Sequence, residues 1–184
     1  MSVHPAVEVL LFWFAPEHKE LRFARNDEFD EKIRTNFYDT WLAATKGELS
    51  SWRSTIQGRL AEIIILDQFS RNLMRNDARA FSQDGMALIL SQELIKHPDY
   101  HLLSKVEQQF ALMPFMHSES AAIHETALEL FEELGMDSAL EYEIKHKAII
   151  DQFGRYPHRN AVLGRVSTPE EIDFLNEDDS SSKW

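Results

Sequence analysis

Cysteine is absent from the 184 residues, which excludes disulfides, thiol nucleophiles, thiolate zinc sites and iron–sulfur ligation, and fits a reducing compartment. Glycine and proline are scarce, at six each, too few for collagen-like or low-complexity chains. Basic residues are in the minority: 19 Lys and Arg stand against 31 Asp and Glu, a formal charge of −12. Such a surface repels a phosphate backbone, so nucleic acid is not expected as a partner. No apolar stretch approaches the roughly 20 residues of a membrane span. The run VEVLLFWFA at 7–15 carries Glu8, has no basic region before it, and meets Pro16, Glu17, His18 and Lys19 where a cleavable signal would need small residues. The expectation is a cytoplasmic protein with no membrane partner.

What is present is the composition of a globular domain, 43% hydrophobic and 27% charged. A chain of this length buries on the order of two-thirds of its unfolded surface. Apolar positions recur at helical spacing almost throughout. Asn26 is a good N-cap for a helix with Phe29, Ile33, Phe37, Trp41 and Ala44 on its stripe, stopping at Gly47. A second helix is expected from Ser54 through Ile56, Leu60, Ile63, Ile64 and Leu66 to Phe69, and a third over 78–96, ending before Pro98. Ser104 with Glu107 has capping-box spacing for a helix to Met113, with Pro114 as its end. Further helices are expected over 119–134, from Ser138 to Gly154, and from Thr168 to about Leu175. No alternating run competes as a strand. The fold class is all-α: antiparallel helical hairpins, about seven or eight helices, in a single domain at 1–175 followed by a flexible acidic tail at 176–184.

One string occurs twice at helix ends: LDQFSRN at 66–72 and IDQFGRYPHRN at 150–160. Each places Asp and Arg four apart, Asp67 with Arg71 and Asp151 with Arg155, hence on one helical face. Apolar residues precede both aspartates, which sets the charges beside core, where they are costly unless paired. These segments are also the basic islands of an acidic chain, with Arg71, Arg75 and Arg79 in one, and Arg155, Arg159 and Arg165 in the other. Arginine's planar fork suits carboxylate and phosphate. Arg71 with Asn72, and Arg155 with His158, Arg159 and Asn160, therefore form a candidate cradle for an anion. A plainer reading makes the same residues struts between helices.

MPFMHSE at 113–119 adds His117, a candidate base, with Glu119 close in sequence. Metal-ligand spacings are weak: there is no HExxH, and Pro98 splits His97 from His101. No GxSxG, GxGxxG or GxxxxGK occurs, and no cofactor is implied. Among Phe12, Trp13 and Phe14, three in a row cannot all face inward.

The strings FWFA (12–15), LDQFSRN, MPFMHSE and FGRYPHRNAVLGR (153–165) together resemble a bacterial family of all-helical proteins of unknown function, grouped with the TPR-like superhelical folds, over nearly the whole chain. The resemblance implies a TPR-like arrangement and no established activity. Ser70 stands where the family has Pro, and Ala15 where it has Gly, so the helix is expected to run straight to Met74. The matching positions are Asp67, Gln68, Arg71, Asn72, His117, Glu119, Arg155, His158, Arg159 and Asn160. With Asp151 they are expected to converge on one cleft at the helix ends. The leading expectation is a module binding an anionic small molecule or carboxylate-bearing peptide. The alternatives are a hydrolase with His117 or His158 as general base, oriented by Glu119 or Asp151, and an inter-helix ion-pair network.

Overall fold

The computed structural model describes residues 3–177; the expected tail lies outside them, except for Asn176 and Glu177. The described chain is all-helical, with nine α segments and no strand. These are α1 (Ala6–Trp13), α2 (Asp27–Thr45), α3 (Ile56–Ile64), α4 (Ser70–Leu73), α5 (Asp84–Leu94), α6 (Lys105–Met116), α7 (Ala121–Leu134), α8 (Asp137–Phe153) and α9 (Pro169–Asn176). A π-helical turn, Ile65–Phe69, joins α3 to α4, so the two form one interrupted rod.

Local chemistry explains most boundaries. Asn26 Oδ1 accepts the Phe29 N–H at 2.9 Å to open α2, and Ser104 and Thr168 make complete capping boxes. Thr55, rather than Ser54, caps α3 by accepting the Gly58 N–H. Gly58 has no substitute there, because a Cβ would lie 2.0 Å from the Trp52 carbonyl oxygen. α1 packs on α3, α3 on α5 and α6, and α7 lies between α6 and α8. The main core gathers Trp13, Phe29, Phe69 and Phe110, all fully buried. Trp13 is its hub, with ring centroids 5.6 Å from Phe69 and 5.5 Å from Phe110. Its neighbours Phe12 and Phe14 are half-buried against the same core. Among the described residues no helix is long and apolar enough to cross a membrane.

Four expectations change. Proline at position 114 does not end α6, which runs on to Met116 with Pro114 inside. Tertiary contacts hold that last turn: the Tyr156 hydroxyl donates to the Met116 carbonyl at 2.5 Å, and Arg159 to the His117 carbonyl at 3.0 Å. The α3–α4 rod does reach Leu73, yet not straight, because the π turn inserts an extra residue into its hydrogen-bond ladder. The segment expected over 78–96 is a short 3₁₀ turn, Ala78–Ala80, followed by α5. Ser138 lies inside α8 rather than capping it, since the helix starts at Asp137.

Candidate functional site

The π turn carries Asp67. Its side chain is 1% exposed, and a carboxylate buried that deeply needs hydrogen-bond donors. It has three: Gln68 Nε2 at 2.6 Å, His117 Nδ1 at 2.8 Å and Arg71 Nη1 at 3.0 Å. Burial alone would push the Asp67 carboxyl up, but the charge of Arg71 and the hydrogen bonds from His117 and Gln68 hold it well below the usual carboxylate range.

Arg71 reaches onward to Asp84, the first residue of α5, in a bidentate pair at 3.0 Å for both bonds. Asp84 also receives Arg159 Nη1 at 3.1 Å. Arg159 in turn lies against the rings of Phe81 and Tyr156, at 4.5 and 4.6 Å from their centroids, and its Nη2 holds the His117 carbonyl. A closed ring of contacts therefore links Asp67, Arg71, Asp84, Arg159 and His117. Arg71 is the member the ring can least spare, since it pairs with both carboxylates. The ring opens to solvent at one side, where the side chains of Arg71, Asp84 and His117 keep 20%, 18% and 12% exposure.

The state of His117 follows from its partners. An ionised Asp67 only accepts, so Nδ1 carries the ring proton in this bond. Burial, then the Arg71 charge, lowers the imidazole's pKa below its usual value, with Asp67 opposing only in part. The ring is thus neutral at pH 7, with its lone pair on Nε2.

Behind His117 stands Tyr156, fully buried and ringed by His146, His124 and His158 at centroid distances of 5.7, 6.3 and 5.5 Å. Burial lowers His146 to about 3. Burial and the Arg159 charge lower His158 to about 4. The His124 ring faces Glu143 Oε1 at 2.6 Å and the Ser118 carbonyl at 2.9 Å, wholly buried with its partner. Burial raises the Glu143 carboxyl.

Of the residues picked from sequence, Asp67, Gln68, Arg71, His117 and Arg159 meet at this centre, with His158 against the Tyr156 ring. The others serve elsewhere. Asn72 donates to Asp30 at 2.7 Å. Glu119 accepts the Tyr156 N–H at 2.7 Å and two bonds from Arg165, so it does not orient His117. Asp151 pairs with Lys147 at 2.8 Å at the surface and orients no histidine. Arg155 and Asn160 both hold Glu171 of α9, at 2.6 and 3.1 Å. Asp84, Phe81, Tyr156 and Glu143 were missed; of these only Tyr156 lay inside a quoted motif. No group of three or more metal-binding side chains is assembled among the described residues.

The chain matches, over residues 9–179, the family described as bacterial proteins of unknown function (DUF924), and it belongs to that family. It is also similar to a solved protein of unknown function from Agrobacterium tumefaciens, at 32% identity and a TM-score of 0.88, covering 94% of this chain and 97% of that one. No curated protein matches it.

Proposed function

We propose that the protein is an enzyme of hydrolytic type in which His117 is the general base, Asp67 its positioning residue and Arg71 the cation at the mouth of the site. The observation that carries this reading is the His117–Asp67 hydrogen bond, which leaves the Nε2 lone pair of a neutral, partly exposed imidazole to take a proton from water or substrate. Three further features support it. The aspartate sits in a π turn, a distortion that recurs at functional sites. The orienting carboxylate stays ionised, and the ring of arginines and Asp84 keeps the dyad rigid. A TPR-like order of hairpins, in keeping with the α6–α7–α8 packing, would bring these helix ends to one edge. The same reading places the protein in the cytoplasm, in keeping with its lack of cysteine.

A pure binding module is less well supported at these arginines. Arg71 and Arg159 already share Asp84, and Arg155 holds Glu171. A ligand anion would have to compete with a carboxylate already in place.

The test combines a state with a function. Long-range proton–nitrogen NMR is expected to show His117 neutral and protonated on Nδ1 at pH 7. A panel of chromogenic carboxylic and phosphoric esters should reveal turnover that His117→Ala removes, with its thermal midpoint retained, and that free imidazole restores in part. A charged His117, a wild-type protein silent on the whole panel, or turnover indifferent to His117→Ala would each overturn the proposal.

A further inference from the structure

The arginines that have room for a ligand lie elsewhere. A groove of about 290 Å³ runs between α2 and the turn after α4, lined by Arg34, Arg75 and Arg79 together with Tyr38, Leu73 and Met74. Asp77 is the single carboxylate among its lining residues; Asp30 behind Arg75 and Glu31, 3.7 Å from Arg34, balance the other two guanidinium charges, so what the groove offers an anion is unused N–H donors rather than net charge.

Each guanidinium is held from behind. Arg34 Nη2 donates to the Leu73 carbonyl at 2.6 Å. Arg75 forks onto Asp30 through Nε and Nη2, and Asn72 steadies the same carboxylate. Arg79 forks onto Asp77 through Nε at 3.0 Å and Nη2 at 2.8 Å. In Arg75 and Arg79 the Nη1 group makes none of these bonds, which leaves donors in hand on side chains already ordered. The backbone contributes to the arrangement: Asn76, between Arg75 and Asp77, has φ 60°, the left-handed region that asparagine tolerates better than most residues. The groove is not wholly polar. Leu73 and Met74 form its floor, and the half-exposed Tyr38 ring, backed by Trp41 at 5.6 Å, offers a flat face.

We infer that this groove binds a small molecule carrying a phosphate group beside a flat apolar part. A phosphate monoester presents three strong acceptor oxygens, one more than a carboxylate, to the Nη1 donors that Arg75 and Arg79 do not spend on Asp30 and Asp77. Arginine forks suit its oxygens in bidentate fashion. A volume of about 290 Å³ has room for a phosphate and one ring, with the ring on Tyr38. The site is separate from His117, so it stands or falls independently of the enzymatic reading.

Phenyl phosphate is the probe. Calorimetric titration is expected to give saturable binding, stronger than that of inorganic phosphate or benzoate. Arg79→Gln, which alters a largely exposed side chain and should leave the fold intact, is expected to weaken it about tenfold, the effect of one lost charge-assisted bond. Arg155→Gln, outside the groove, is expected to leave it unchanged. NMR shifts on adding phenyl phosphate should gather on Tyr38 and on the side chains of Arg34, Arg75 and Arg79. Absence of binding, equal loss in Arg155→Gln, or shifts gathered on Arg71 and Arg159 would overturn the inference.

Discussion

The two copies of Asp-Gln-Phe-x-Arg share four of their five letters and almost none of their environment. At 67–71 the aspartate is buried and bonds to the arginine four residues on. At 151–155 the aspartate is half-exposed, pairs with Lys147, and has no bond to Arg155, which turns to Glu171 instead. The variable letter accounts for the difference. An i,i+4 pair requires helical backbone from one residue to the other. Ser70 keeps the rod helical to Leu73: its hydroxyl donates to the Leu66 carbonyl at 2.6 Å and accepts Trp41 Nε1–H at 2.9 Å. Gly154 ends α8 in the left-handed region, φ 69°, which swings Arg155 off the helical face of Asp151 and toward α9. The repeat is therefore one of letters, and one glycine separates a candidate site from a latch that pins the C-terminal helix.

The largest expected effect tests that contrast head on. Asp67→Ala strips a buried carboxylate from Arg71 and His117 and is expected to lose about 3–5 kcal/mol of stability, whereas Asp151→Ala at the surface is expected to stay within about 0.5 kcal/mol. Urea denaturation of the two variants checks it, and similar losses would abolish the distinction.

Acid sharpens the comparison next. His146 and His158 are held to about 3 and about 4 when folded, while the unfolded chain takes up those protons near 6.5. Their folded pKa values are depressed, so the unfolded state binds more protons below pH 6.5 and stability falls as pH drops toward 4. Each histidine steepens that fall by about 1.4 kcal/mol per pH unit. Equilibrium unfolding measured from pH 7 to 4 should show the slope, and replacing His146 by Gln should lower it. A flat profile would mean that the histidines round Tyr156 are not shielded.

The smallest expected effect is at the divergent letter. Gly154→Ala forces a Cβ into the left-handed region, at a cost of roughly 1–2 kcal/mol. Nothing lies within 4 Å of the new atom, so strain should be the whole effect, and the thermal midpoint should drop while the fold persists. If Asp151 and Arg155 then showed coupling in a double-mutant cycle, the helix would have extended through position 154.

Sequence reasoning reached the helices because their signals are local. The Asn26 cap, the capping boxes of Ser104 and Thr168 and the stop at Gly135 each act within four residues. It failed at Pro114 because the contacts that hold the last turn of α6 come from Arg159 and Tyr156, some 40 residues away in sequence. The candidate site divides in the same way. Asp67, Arg71 and His117 were visible as residue types beside apolar runs, but no spacing disclosed that Asp84 would hold two arginines at once or that Asp67, not Glu119, would hold His117.

By itself, then, the sequence determined an all-helical chain of acidic surface, without thiol chemistry, with six of its eleven arginines in two segments. Only the tertiary structure decided which carboxylate each of those arginines answers to, and which of them keep a donor free at an open groove. Composition sets how many charges there are, whereas partnership depends on which helix ends meet. That meeting is settled by the packing of side chains far apart along the chain.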